Sequence, residues 1–227
     1  MQYLGGKSRI AKQVSFVLNN NKKENFVSLF CGTCSIESLV SIENKILNDS
    51  HFYLIECLKA MQEGRVFPDI VSEEDYRFVK NNVDLDPALS GFIGFGCSFG
   101  GKWWGGYARQ TKGLNYAATA RRSLEKKFKG LPAAKFYNLD YRELAIPKNS
   151  LVYCDPPYRD TTKYSNSKNF DNDGFWEYVR EISKTNLVFV SELSAPEDFV
   201  SVWKKDFTRN LDARVVFNSQ ENLWIHK

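Results

Sequence analysis

Short runs rich in β-branched and aromatic residues recur along this chain at 26–31, 45–47, 135–139, 150–154, 187–191, 215–218 and 223–226. Stretches with apolar residues at helical spacing lie between most of them, at 8–19, 35–43, 52–63 and 173–184, and 196–205 opens at a proline suited to a first helical turn. Strands alternating with helices lie parallel, because the chain must cross back over the sheet before each new strand begins. The pattern therefore predicts an α/β fold with a mostly parallel, three-layered sheet. The last two runs are close enough to form an antiparallel hairpin at one edge.

The alternation breaks between 64 and 131, where the pattern is helical or irregular, so residues 1–63 and 132–227 read as one domain and 64–131 as an insertion into it. Seven of the 14 glycines fall in 91–106. Glycines at that density let a backbone turn sharply or approach a partner closely. The net charge of +4 is unremarkable, but between Gly91 and Gly130 the cations Lys102, Arg109, Lys112, Arg121, Arg122, Lys126, Lys127 and Lys129 face one acid, Glu125. With Trp103, Trp104, Tyr107 and Tyr116 interleaved, this segment has the charge and stacking surfaces expected for nucleic acid. A solvated helix face accounts equally for 121–129 taken alone.

Two places carry chemistry. The apolar run 150–154 stops abruptly at Asp155-Pro156-Pro157-Tyr158, which delivers an acid, a rigid carbonyl and a flat ring to the carboxyl edge of a sheet, where α/β proteins bind ligands. A carboxylate and a carbonyl can accept both hydrogens of a planar amine while the ring stacks on it. Earlier, the first strand runs into Phe30-Cys31-Gly32-Thr33-Cys34-Ser35, a glycine turn that brings backbone N–H groups to the same edge. Asp49, 17 residues beyond Gly32 and directly after the next strand, is placed to accept hydrogen bonds from ribose hydroxyls. Asp140 follows a later strand at that edge. Cys31-Gly32-Thr33-Cys34 also has the C-x-x-C spacing of a redox motif, although nothing else in the chain requires redox chemistry. The two histidines, His51 and His226, and the isolated Cys57, Cys97 and Cys154 do not compose a zinc set.

With 43% hydrophobic and 26% charged residues over 227, and no apolar run of transmembrane length, the composition is that of a globular protein with no membrane partner. Five cysteines in mostly apolar surroundings suit reduced thiols. A cytoplasmic location is expected, in a bacterium or a virus-infected host.

Taken in order, these residues resemble the DNA adenine methyltransferases of the Dam-like group, in which cofactor motifs come first, a target-recognition insertion second and the catalytic D-P-P-Y last. The resemblance implies a Rossmann-like methyltransferase sheet. It also implies that Tyr3, Gly6 and Lys7 of Tyr3-Leu4-Gly5-Gly6-Lys7, with Phe30, Cys31, Gly32, Asp49, Asp140 and its neighbour Tyr141, hold S-adenosylmethionine. Asp155, Pro156, Pro157 and Tyr158 would be the catalytic motif, while Lys102, Arg109, Lys112, Arg121 and Arg122 would contact double-stranded DNA. Ser28 stands where many of that group carry an acid. The implied reaction is direct methyl transfer to the exocyclic nitrogen of an adenine flipped out of the duplex, with 159–172 as a loop that closes over the base. Alternatives are methylation of an RNA adenine, and a nucleic-acid-binding module built on an inactive methyltransferase core. Neither the recognised sequence nor the oligomeric state follows from these residues.

Overall fold

The computed structural model describes residues 1–109, 113–158, 170–212 and 215–227, with side chains throughout these except 207–219. A seven-stranded sheet runs through the molecule in the order β3-β2-β1-β4-β5-β7-β6. Its strands are β1 (Asn25–Ser28), β2 (Asn44–Asn48), β3 (Lys135–Tyr137), β4 (Leu151–Cys154), β5 (Leu187–Glu192), β6 (Phe199–Asp212) and β7 (Val215–His226). The first five pair in parallel, and β7 runs antiparallel to both β5 and β6. The expected α/β architecture, a Rossmann-like sheet with an antiparallel edge, is the one observed. Helices α1 (Ala11–Asn19), before the first strand, and α2 (Phe52–Gln62) and α6 (Asn172–Ser183), between strands, lie within a few residues of where the periodicity predicts them.

Alternation of side chains along the strands divides the core. Phe26, Leu47, Leu151, Tyr153 and Phe189 face one side and pack with α1 and α2, whereas Val27, Val152, Cys154, Val188 and Val190 face the other and pack with Phe175, Trp176 and Val179 of α6. Strand β4 is buried at every residue, as a central strand covered on both faces must be. Its rigid support is what fixes the position of Asp155 immediately after it.

Three expectations need correction. Residues 35–43 do not form a helix; only a short 3₁₀ turn, Glu37–Leu39, forms there. Asn19 accounts for its end, because its side chain donates to Leu39 O and accepts from Ser41 N, holding the chain in an extended exit at Val40. Residues 196–205 are not helical beyond the proline turn but enter β6. There burial alternates from buried Phe199 to exposed Val200 and Val202, a period of two that suits β-branched residues. The runs 215–218 and 223–226 do not pair with each other, since both belong to the single strand β7, whose hairpin partner is β6. The polar residues Ser219, Gln220, Glu221 and Asn222 read as a turn, yet they continue the ladder opposite Phe207, Asp206, Lys205 and Lys204.

Residues 64–131 supply α3 (Glu73–Asn81), α4 (Pro87–Gly96) and α5 (Tyr116–Phe128). Ser72 and Asp75 close a capping box at the start of α3, and Asp86 with Pro87 starts α4. The glycines of α4 serve contact within the chain. A Cβ at Gly91 would lie 1.9 Å from Tyr53 O, so the backbones of α2 and α4 touch there. Phe92, Ile93 and Phe95 continue the same core that covers the sheet.

Candidate active site

Asp155 leaves β4 at the carboxyl edge and joins a cluster with residues from two distant segments. Its Oδ1 is 2.9 Å from Lys7 Nζ, and the same ammonium is 3.3 Å from Glu221 Oε1 on β7. The Tyr158 hydroxyl donates to Glu221 Oε1, and Lys7 Nζ lies 4.1 Å from the centre of the Tyr158 ring. Lys7, Asp155 and Glu221 are 11%, 17% and 5% exposed, so this is a nearly dry cluster in which charge is expensive. Burial pushes the Asp155 carboxyl up to about 6, with Glu221 adding to the rise and Lys7 opposing it. Burial works against the charge on Lys7, but Asp155 and Glu221 outweigh it and hold the ammonium above its ordinary range. Glu192, at the end of β5 and buried, is pushed up to about 7 by burial and further by Asp155.

Beside this cluster, Asn48 at the end of β2 binds three strand ends together. Its side chain donates to Leu29 O at 3.2 Å and Leu139 O at 3.0 Å, and accepts from Leu139 N at 3.0 Å. The ties bring the Phe30-Cys31-Gly32 turn, Asp49 and the 138–140 segment to one edge. Asp49, 8% exposed, accepts from Gly32 N and His51 N, both at 3.0 Å; burial raises its carboxyl above the ordinary range against those two bonds. Gly32 adopts φ +48, and a Cβ there would meet the Tyr3 ring at 3.4 Å. The N-terminal motif is thus folded onto the glycine turn, with Gly6 N donating to Tyr3 O at 2.9 Å. Phe30 packs against Tyr141 and Phe170, with ring centres 5.3 and 6.0 Å apart. Asp140 is more exposed and bound by Arg142 through two 2.8 Å hydrogen bonds, which hold its carboxyl below the ordinary range.

The sequence pattern of the D12 class N6 adenine-specific DNA methyltransferases matches residues 3–84 and 102–195. This chain belongs to that family. A relative, the Type II methyltransferase M.FokI of Planomicrobium okeanokoites, is 24% identical over 219 residues, 83% of this chain. The chain spans 33% of the length of that relative. Among solved structures, TrmN from Thermus thermophilus shares 12% identity at a TM-score of 0.42, covering 98% of this chain and 50% of that one. A tRNA (m1A58) methyltransferase, TrmI from Aquifex aeolicus, shares 10% at 0.37, covering 96% and 68%.

Within this D12-family chain the predicted nucleic-acid residues divide. Lys102 and Arg122 are exposed; Arg109 is exposed but lies 3.3 Å from Glu73, and Arg121 is partly buried, 2.8 Å from Asp69. Lys112 and the loop residues 159–169 lie outside the described residues, and of the expected closing loop Phe170 is seen within the ring cluster beside Phe30. The basic helix is not a uniformly solvated face. Lys127 Nζ turns inward from α5 to Thr33 O at 2.6 Å, Thr33 Oγ1 at 2.9 Å and Ser35 Oγ at 2.9 Å, pinning the glycine turn. Three of the four rings read as stacking surfaces face the core instead. Trp103 stacks on Tyr53, Trp104 packs on Tyr76, and Tyr107 donates to Val71 O at 2.7 Å.

Cys31 and Cys34 are buried free thiols, and burial pushes Cys31 well above its ordinary value, the reverse of what a reactive thiolate needs. Four site residues escaped sequence reasoning: Glu37, Lys127, Glu192 and Glu221. Glu37 is buried, accepts from Ser28 Oγ at 2.9 Å and Ile36 N at 3.1 Å, and is pushed up to about 7 by burial. An acid therefore stands against Ser28 from nine residues further along the chain. A signal for it existed, since Glu37 interrupts the otherwise apolar face of Ile36 and Val40.

Proposed function

We propose that the chain transfers a methyl group from S-adenosylmethionine to the exocyclic amino nitrogen of adenine in double-stranded DNA, acting on a base turned out of the duplex. The observation that carries this reading is the meeting, at one sheet edge, of Asp155 and Tyr158 with the edge formed by Gly32 and Asp49. The family match supports the choice of adenine in DNA. The residues fit the cofactor. An open glycine turn walled by Tyr3, together with a buried carboxylate already accepting two N–H bonds, makes a cradle in which a side chain at position 32 would take up space. Tyr3, Gly6, Lys7, Phe30, Cys31, Gly32, Asp49, Asp140 and Tyr141 are the residues proposed to hold it, and it supplies an electrophilic methyl group when bound.

The amino nitrogen of adenine is a poor nucleophile while its lone pair is conjugated with the ring. Accepting its two hydrogens at the Asp155 carboxylate and the Pro156 carbonyl favours a pyramidal nitrogen with a directed lone pair, an interaction that strengthens towards the transition state. Pro157 stiffens the turn, and the Tyr158 ring supports the base. Residues 64–131 act as the recognition insertion, with Lys102, Arg109, Lys112, Arg121 and Arg122 meeting the DNA. A cytoplasmic setting suits this chemistry, and among the described residues no helix is long and apolar enough to cross a membrane. The test is to incubate duplex DNA and, separately, structured RNA with protein and methyl-labelled cofactor, then digest to nucleosides. Label in N6-methyldeoxyadenosine supports the proposal; label confined to RNA, or none at all, overturns it.

A further inference from the structure

Lys7 occupies both groups that the proposed reaction requires. Its ammonium is 2.9 Å from Asp155 Oδ1, the acceptor for the amino hydrogens, and 4.1 Å from the centre of the Tyr158 ring, the support for the base. A target amino group that takes Asp155 Oδ1 displaces that ammonium from it. In a pocket this dry a lysine cannot move to nowhere, because an unpaired buried ammonium is strongly disfavoured. Glu221 Oε1, 3.3 Å from Lys7 Nζ and 5% exposed, offers the second seat, and it simultaneously accepts the Tyr158 hydroxyl.

We infer that Glu221 is a positioning residue of the catalytic pocket, holding Tyr158 in place and receiving Lys7 when the target amino group takes over Asp155. This rests on the proposed adenine chemistry at the same site. The placement is specific to the strand. Glu221 lies on β7 opposite Lys205, adjacent to Asn222, which donates to Leu193 O at 3.2 Å and pairs in register with Glu192 of β5. The carboxylate is thus built into the ladder at the sheet edge rather than carried on a side loop. Its burial beside a like charge on Asp155 has no packing rationale, since a hydrophobic residue of similar volume would fill the space without desolvation.

The conservative change Glu221→Gln keeps the shape and one acceptor while removing the charge. Single-turnover transfer on an adenine-containing duplex is expected to fall roughly tenfold or more at neutral pH, the scale of one charge-assisted hydrogen bond, with cofactor and DNA affinity retained. Two readouts separate this from a merely structural loss. The groups facing Asp155 are Lys7 from the N-terminal segment, Glu37 beside β1, Tyr153 of β4, Tyr158 of its own turn, Glu192 of β5 and Glu221 of β7. Of the carboxylates Glu192, which Asp155 raises, and Glu221, which raises Asp155, Glu221 is the one removed, so the acid limb of the pH–rate profile moves to lower pH; a structural defect would lower the rate at all pH values. In addition, Glu221→Gln combined with Lys7→Met is expected to be no slower than Lys7→Met alone. An active parent whose Glu221→Gln form matches it in rate and acid limb, or losses that multiply in the double variant, would overturn the inference alone. A parent inactive on both DNA and RNA would overturn the proposed function and the inference with it.

Discussion

Replacing Asp155 by Asn is expected to make the protein more stable and, at the same time, a worse catalyst. The structure sets the scale. Burial raises the Asp155 carboxyl from 3.8 to about 6 even with Lys7 at 2.9 Å, and its side chain is only 17% exposed. At about 1.36 kcal/mol per pKa unit, keeping this group ionised at pH 7 costs the folded state on the order of 3 kcal/mol. The sign follows from proton counting: between pH 3.8 and about 6 the folded chain holds a proton that the unfolded chain has released, so this group favours folding at low pH and loses that effect as pH rises through 6. Asparagine mimics the neutral carboxyl and leaves Lys7 with Glu221. Urea unfolding at pH 7 should therefore show Asp155→Asn stabilised by up to about 3 kcal/mol, with the difference shrinking to near zero below about pH 4. Loss of a charge-assisted hydrogen bond of about 1.5–3 kcal/mol predicts a roughly 10-fold to 150-fold slower single turnover, and Asp155→Ala should be slower still. An Asn variant that is destabilised at pH 7, or as fast as the parent, would refute the electrostatic account of this pocket.

Asp49→Ala should weaken S-adenosylmethionine binding in a folded protein, measured by calorimetry; unchanged affinity would remove Asp49 from the cofactor site. Lys127→Met should destabilise the fold by about 1–3 kcal/mol in urea melts, because Thr33 O and Thr33 Oγ1 lose a buried donor; a neutral outcome would show that the glycine turn does not depend on α5. Neutralising Lys102 or Arg122 should lower the salt slope of DNA binding by about one unit each across sequences, whereas Arg109→Ala, if Arg109 leaves Glu73 to read a base, should relax sequence preference at about 1–3 kcal/mol. Salt titrations on matched and mismatched duplexes distinguish these outcomes.

The parallel half of the sheet was legible because each strand there carries one signal at a time: β4 is apolar throughout, and the crossover helices have clear periodicity. The errors fall where two requirements share one segment. Residues 219–222 continue a strand while Glu221 among them joins the Asp155 cluster, and the polarity of the segment disguises the strand as a turn. Residues 35–43 show a helical apolar spacing, but Glu37 is drawn inward to Ser28 and Asn19 binds the chain at Leu39 and Ser41, so long-range hydrogen bonds override local periodicity. The place of D-P-P-Y at the end of β4 could be read because the strand and the motif are contiguous. Lys127 could not, since its partners Thr33 and Ser35 are more than 90 residues away.

That separation has a mechanical consequence. Lys127 is on α5, within residues 64–131, yet its ammonium is spent on the turn that includes Gly32, while Leu4 N donates to Gly101 O at 3.1 Å and joins the N-terminal motif to the same insertion. Lys7, three residues beyond Leu4, reaches Asp155. A displacement of residues 64–131 would therefore pull on two places at once: on the Gly32 turn through Lys127 and on the Asp155 cluster through the 4–7 segment. Burial lowers the Lys127 ammonium from its ordinary value, with nearby Glu37 opposing the shift, so the tie depends on a cation retained against desolvation. Its acceptors, Thr33 O, Thr33 Oγ1 and Ser35 Oγ, are neutral, so opening that geometry would strand one buried cation, a cost that holds the tie closed. If residues 64–131 meet DNA, these two ties are the routes by which that contact would reach the Gly32 turn and Asp155.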